Sequence, residues 1–149
     1  MKKKCFIRFL SLFLIVGLCL PTMALAATPE VSEPLASEQL SHYASGIAAL
    51  GSGDLAIEFF VFGVGLMDSI GAQRIRLYES LDGENWYCVA NYAPANHPNM
   101  MAYEARAMSS SVSYSGVAGR YYKAFVTVTA SNSSGLDIRS FWTTVVRAT

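Results

Sequence analysis

The sequence predicts an all-β fold, a two-sheet antiparallel β-sandwich of about seven strands. Three observations lead there. Apolar residues recur at a spacing of two in several runs, most cleanly at Tyr122, Ala124, Val126, Val128 and Ala130. Turn-forming clusters separate the runs, at Gly51-Ser52-Gly53, Asp82-Gly83 and Ser131 to Gly135. No sustained amphipathic helical pattern competes with them.

Taken in order, the chain starts with Lys2, Lys3, Lys4 and Arg8, then an apolar run from Phe9 to Leu20, then Pro21 and the small-x-small tripeptide Ala24-Leu25-Ala26. This is the pattern of a secretory signal peptide over residues 1–26, with an apolar core shorter than the roughly 20 residues a membrane span needs. Residues 27–37, with Pro29 and Pro34 among small and acidic residues, are expected as a flexible leader. A single domain is expected over 38–149. Export would also remove Cys5 and Cys19 and leave Cys88 alone, so no intrachain disulfide is expected. Cys88 alternates in phase with Trp86 and is expected as a small core hydrophobe, the alternative being an intermolecular disulfide.

The first run, Gln39 to Leu50, fits either a helix face or an alternating strand, and its passage into Gly51-Ser52-Gly53 favours a strand. Leu55 to Val64 is apolar on both faces and reads as a central strand or one whose outer face is covered by a loop, with Leu55, Ile57, Phe59 and Val61 on one side. Met67 to Gly71 is expected as a loop. Arg74 to Glu79 alternates again, with Ile75 and Leu77 inward and Arg74, Arg76 and Tyr78 outward. Asp82-Gly83 is the strongest short hairpin signal, and Trp86 to Tyr92 is expected as the second arm, Trp86, Cys88 and Ala90 lining one face. Pro94 and Pro98 place Ala93 to Met100 in a loop. Tyr103 to Met108 and Val112 to Tyr114 are short extended pieces, and Tyr122 to Ala130 and Ile138 to Val146 complete the set.

The run Tyr122-x-Ala124-x-Val126-x-Val128-x-Ala130-x-Asn132-x-x-Gly135 resembles the last hairpin of fibronectin type III-like and immunoglobulin-like domains. That resemblance implies a corner role for Tyr122, whose hydroxyl would bond backbone near Val117 to Gly119. The chain also resembles a family of small secreted proteins of Gram-positive anaerobes described only as a domain of unknown function. The matching pieces are Ser41-His42-Tyr43-Ala44-Ser45, Gly65 to Ala72, Ile75-x-Leu77-Tyr78-Glu79-Ser80-x-Asp82-Gly83, Met100-Met101 and Val112-x-Tyr114-x-Gly116-x-Ala118-Gly119. This resemblance implies export and a β-rich domain, and brings no activity. Ser80-x-Asp82-Gly83-x-x-Trp86 is similar to the Asp-box of sialidases and related propellers. There an aspartate locks a hairpin turn and a tryptophan caps it, and Asp82, Gly83 and Trp86 are expected to do the same.

Composition narrows the function classes. Without residues 1–26 the chain keeps seven basic against eleven acidic residues, a net charge of −4, which gives no footprint for nucleic acid or an anionic membrane. His42 and His97 are the two imidazoles, neither in a nucleophile setting, with His97 expected to be solvated in its loop. No His or Cys pair has metal-ligand spacing, so no cofactor is expected. What remains is an aromatic surface, for 15 aromatics follow residue 26 and Tyr78, Tyr87 and Tyr121 take outward phases. The expected role is a secreted, non-catalytic module acting by surface contact with an extracellular protein, a cell-wall component or a carbohydrate. Two alternatives stand beside it: an exported hydrolase or inhibitor with a loop-built site, and a self-associating extracellular structural protein.

Overall fold

The computed structural model describes residues 38–149; the signal peptide and leader expected over 1–37 lie outside them. Seven antiparallel strands follow in order: β1 Leu40–Gly51, β2 Asp54–Ser80, β3 Tyr87–Tyr92, β4 Met101–Ser115, β5 Tyr121–Asn132, β6 Gly135–Trp142 and β7 Val146–Arg147. A single 3₁₀ turn, Pro98–Met100, precedes β4. All seven strands are hydrogen-bonded into one curled sheet.

The organising element is β2, 27 residues long. Extended, it would span about 90 Å, so it must bend to fit a domain of this size. Its first arm, Asp54 to Phe62, lies between β1 and β4. Its second arm, Ser69 to Ser80, carries β5 on one edge and the start of β4, then β3, on the other. Between the arms the register against β4 jumps from Phe62–Ala107 to Met67–Ala105, a bulge that turns the strand. Gly63 permits the turn, since a Cβ there would sit 2.6 Å from the Met67 side chain.

The bend brings both ends of β2 to one end of the molecule. Gly116 N–H donates to Gly53 O at 3.1 Å, and Gly116 lies against the Tyr122 ring, which pairs with Glu79 at the far end of β2. The core fills the space between the arms: Leu55, Ile57, Phe59 and Val61 from the first, Ile70, Ile75 and Leu77 from the second, and Tyr122, Ala124, Val126 and Val128 from β5. The curl closes where β1 meets β6. Asp137 Oδ2 accepts the Gln39 and Leu40 N–H groups at 2.6 and 3.2 Å, and the Tyr43 and Phe141 rings lie 5.3 Å apart.

Several local expectations change. Residues 67–71 are strand, because they pair with β4 and, from Ser69, with β5 as well, and Gly71 lets Met100 approach closely. The serine cluster does not divide the next segment; β4 runs unbroken for 15 residues because the first arm of β2 pairs along it. His97 is half-buried with its ring 4.9 Å from Tyr92. Cys88 is exposed, not core. The cause is a bulge in β3: Leu77 pairs with Ala90 but Tyr78 with Cys88, so Val89 is extra and the phase reverses, which also separates Ala90 from Trp86 and Cys88.

Tyr122 is fully buried. Its hydroxyl accepts the Val117 N–H at 2.9 Å and donates to Glu79 Oε2 at 2.5 Å, while Arg120 ion-pairs with the other Glu79 oxygen. Burial, then the bond to Glu79, push the phenol up to about 12. An acid with a raised folded pKa contributes stability below its unfolded pKa of about 10 and loses it as pH climbs toward the folded value. Tyr122→Phe is therefore expected to lower stability by about 2 kcal/mol near neutral pH and to flatten the alkaline loss between pH 10 and about 12, both read from urea midpoints against pH. An unchanged midpoint would contradict this role. Gly71 has φ +151° and a Cβ there would meet Met100 O at 2.2 Å. Gly71→Ala should cost about 2 kcal/mol or more, and a mutant melting like the parent would show that this crossing is not tight.

Candidate functional site

The outward face of the second arm collects the polar and aromatic side chains that the core excludes. Because Ile75, Leu77, Ala124 and Val126 point inward, Arg74, Arg76 and Tyr78 on β2 and Lys123, Phe125 and Thr127 on β5 point out. Cross-strand pairing puts Tyr78 beside Lys123, Arg76 beside Phe125, and Phe125 beside Trp142 of β6. Trp86, at the end of the loop before β3, reaches the same face.

These residues form one connected surface. The Lys123 ammonium lies 4.1 Å from the Trp86 ring centroid and 4.7 Å from that of Trp142, held between two indoles. Trp142 contacts Tyr78 at 5.1 Å and Phe125 at 4.8 Å, both tilted. The Arg76 guanidinium lies 5.1 Å over Phe125. A cation over an aromatic face is attracted by the ring quadrupole, by about 0.5–1 kcal/mol at an exposed site, so the stack holds the indoles in place while Trp142 stays 49% exposed.

The three tyrosines singled out from the sequence do not converge. Tyr78 belongs to the surface just described. Tyr121 is on the same face at its end, half-buried beside Gly83, with the Arg147 guanidinium 5.5 Å from its ring. Tyr87 is 70% exposed, but it pairs with Glu79 and so shares the opposite phase. Lys123, Phe125, Arg76 and Trp142 were not singled out. The alternation through β5 was the available signal, but only the pairing of β5 with β6 shows that Trp142 joins it.

The loop before β3 is built on Asp82. Its Oδ1 accepts the Ser80 hydroxyl and the Glu84 and Asn85 N–H groups at 2.8 to 2.9 Å, and its Oδ2 accepts Asn85 Nδ2 at 2.7 Å. Gly83, at φ +80°, donates its N–H to Ser80 Oγ. These donors, the Asn85 backbone first, hold the Asp82 carboxyl well below the usual carboxylate range. The loop thereby sets the position of Trp86 against Lys123.

Two concave regions lie elsewhere. A groove of about 660 Å³ on the first arm is lined by Ala44, Gly46, Glu58, Phe60, Ser109 and Ser111 among others, Glu58 being its one carboxylate. A cleft of about 230 Å³ is lined by Glu79, Asp82, Tyr87 and Arg120 among others, but Glu79 is engaged by Arg120 and Tyr122 and Asp82 by its own loop. His97 lines neither. Among the described residues no group of three or more His, Cys, Asp or Glu is placed to hold a metal ion, and no helix is long and apolar enough to cross a membrane.

Removal of the Asp82 carboxylate should loosen this loop rather than the fold. In Asp82→Ala the Glu84 and Asn85 amides are expected to lose hydrogen-exchange protection while the β5 amides keep theirs. In the parent protein the contribution of Asp82 is full above the ordinary carboxylate pKa of about 3.9 and declines as pH falls below it, because its folded pKa is the lower one. Equal amide protection in mutant and parent would remove the anchoring role.

No family model and no curated protein matches this chain. A solved structure, that of a protein from Archaeoglobus fulgidus, is similar at 8% sequence identity and a TM-score of 0.34, covering 74% of this chain and 98% of its own.

Proposed function

We propose that this protein is a secreted, non-catalytic binding module that holds carbohydrate on the outward face of β2, β5 and β6. The observation that carries this reading is the contiguous surface of Trp86, Lys123, Trp142, Tyr78 and Phe125, with Trp142 half exposed at its centre. Sugar rings present flat C–H faces that pack on aromatic rings, and rigid indoles lose little entropy in receiving them. These two concave regions support the non-catalytic part, since one has a single carboxylate and both acids of the other, Glu79 and Asp82, are already engaged.

On the same reading the curled sheet is a variant of the immunoglobulin-like and fibronectin type III-like sandwich. The two arms of β2 serve as its layers, and the Tyr122 hydroxyl bonded to Val117 N–H serves as its corner. The basic and apolar start of the sequence would deliver the module outside the cell, where cell-wall polysaccharides are the accessible partners.

Affinity electrophoresis of the purified protein through gels cast with galactan, xylan, methyl-esterified pectin or peptidoglycan fragments tests this. Retardation is expected with at least one polymer. Trp142→Ala and Tyr78→Ala should weaken it roughly tenfold, while Ser111→Ala in the far groove should not. Free migration in every gel, or loss of retardation only in Ser111→Ala, would overturn the proposal.

A further inference from the structure

We infer that this surface selects acidic glycans, whose pyranose rings carry carboxylates; the inference rests on the carbohydrate reading above and adds the charge of the ligand. The strands supply Arg74, Arg76 and Lys123 to the face and no Asp or Glu. That is against the trend of the chain, in which acidic residues outnumber basic ones once the first 26 residues are set aside. Among the described residues these three cations form no ion pair, whereas Arg120 pairs with Glu79 and Arg147 Nε donates to Gly119 O.

Arg76 adds a second, independent observation. Its Nε is buried with no hydrogen-bond partner, and a buried unsatisfied donor carries a desolvation cost that a native structure ordinarily avoids. The guanidinium lies against Phe125, one strand from the half-exposed Trp142. A uronic acid ring stacked on Trp142 would bring its carboxylate toward Arg76. There the terminal nitrogens of the guanidinium can donate two parallel bonds to it, and the unpartnered Nε leaves the whole charge of Arg76 without a carboxylate in the protein itself. Lys123, whose ammonium is held between two indoles rather than by a carboxylate, supplies a second positive centre for the next residue of the polymer.

Binding of polygalacturonate, alginate and hyaluronan, each compared with its own methyl ester, tests the charge while keeping the rings constant. The acid form of at least one is expected to bind roughly tenfold more tightly than its ester at low ionic strength, with the difference shrinking as salt is added. Arg74→Gln and Arg76→Gln should each bring the acid-to-ester ratio toward one, and Arg106→Gln, on β4, should not change it. Arg74 is exposed, so its variant tests the charge even if Arg76→Gln proves unstable. Equal binding of acids and esters would overturn this inference and leave the stacking surface standing. Binding of neither form would overturn this inference, and together with free migration through the galactan, xylan and peptidoglycan gels it would overturn both. A ratio lowered only by Arg106→Gln would place the charge recognition elsewhere.

Discussion

A strand of 27 residues is several times longer than the few residues usual in globular proteins, and the domain exists because that strand doubles back. The bend depends on an irregularity between Phe62 and Met67, where β2 has extra residues against β4 and Gly63 lets the Met67 side chain approach the backbone. Once bent, β2 offers two apolar faces to each other, Leu55 to Val61 against Ile70 to Leu77. The hydrophobic contact between them requires no second chain segment to begin. Every other strand is then an addition to one arm or a bridge across both: β1 and β4 flank the first arm, β5 and β3 the second, and β4 continues through the bend.

Such a curl leaves edges and ends that need fastening, and polar groups do this. Asp137 takes two backbone N–H groups where β1 approaches β6, and Tyr122 and Glu79, with Arg120, tie the end of β2 to the turn at Val117. Part-buried hydrogen bonds of this kind are modest in net energy but costly to break singly, because the remaining partner is left poorly solvated. They give the sheet one closure rather than a range of them.

The same geometry decides what the surface displays. Pleating sends alternate residues outward, so the apolar alternation that fills the core also produces the alternation of Arg74, Arg76 and Tyr78 with Lys123, Phe125 and Thr127 on the outside. Two devices refine it. The bulge at Val89 turns Cys88 outward opposite Tyr78, and the Asp82 loop places Trp86 over Lys123.

The antiparallel all-β character was legible because period-two alternation is a local property: the inward phases of Ile75, Leu77, Tyr122, Ala124 and Val126 follow from each run alone. Turn chemistry was local as well, as Asp82 with its neighbours and Asn132 Oδ1 accepting the Ser134 N–H demonstrate. The merger of residues 54–80 into one strand was not legible. A glycine breaks a strand or bends it depending on which neighbour accepts the pairing, and for Gly71 those neighbours are β4 and β5, distant in sequence. The exposure of Cys88 was hidden for the same reason, since a bulge is defined by two strands and not by one. Sequence by itself determined which side is apolar in the regular runs of β2 and β5; only the tertiary structure decided where bulges reverse that phase and which strands lie side by side. It thus brought Trp142 to Tyr78 and Lys123, because long-range pairing places side chains that no local spacing relates.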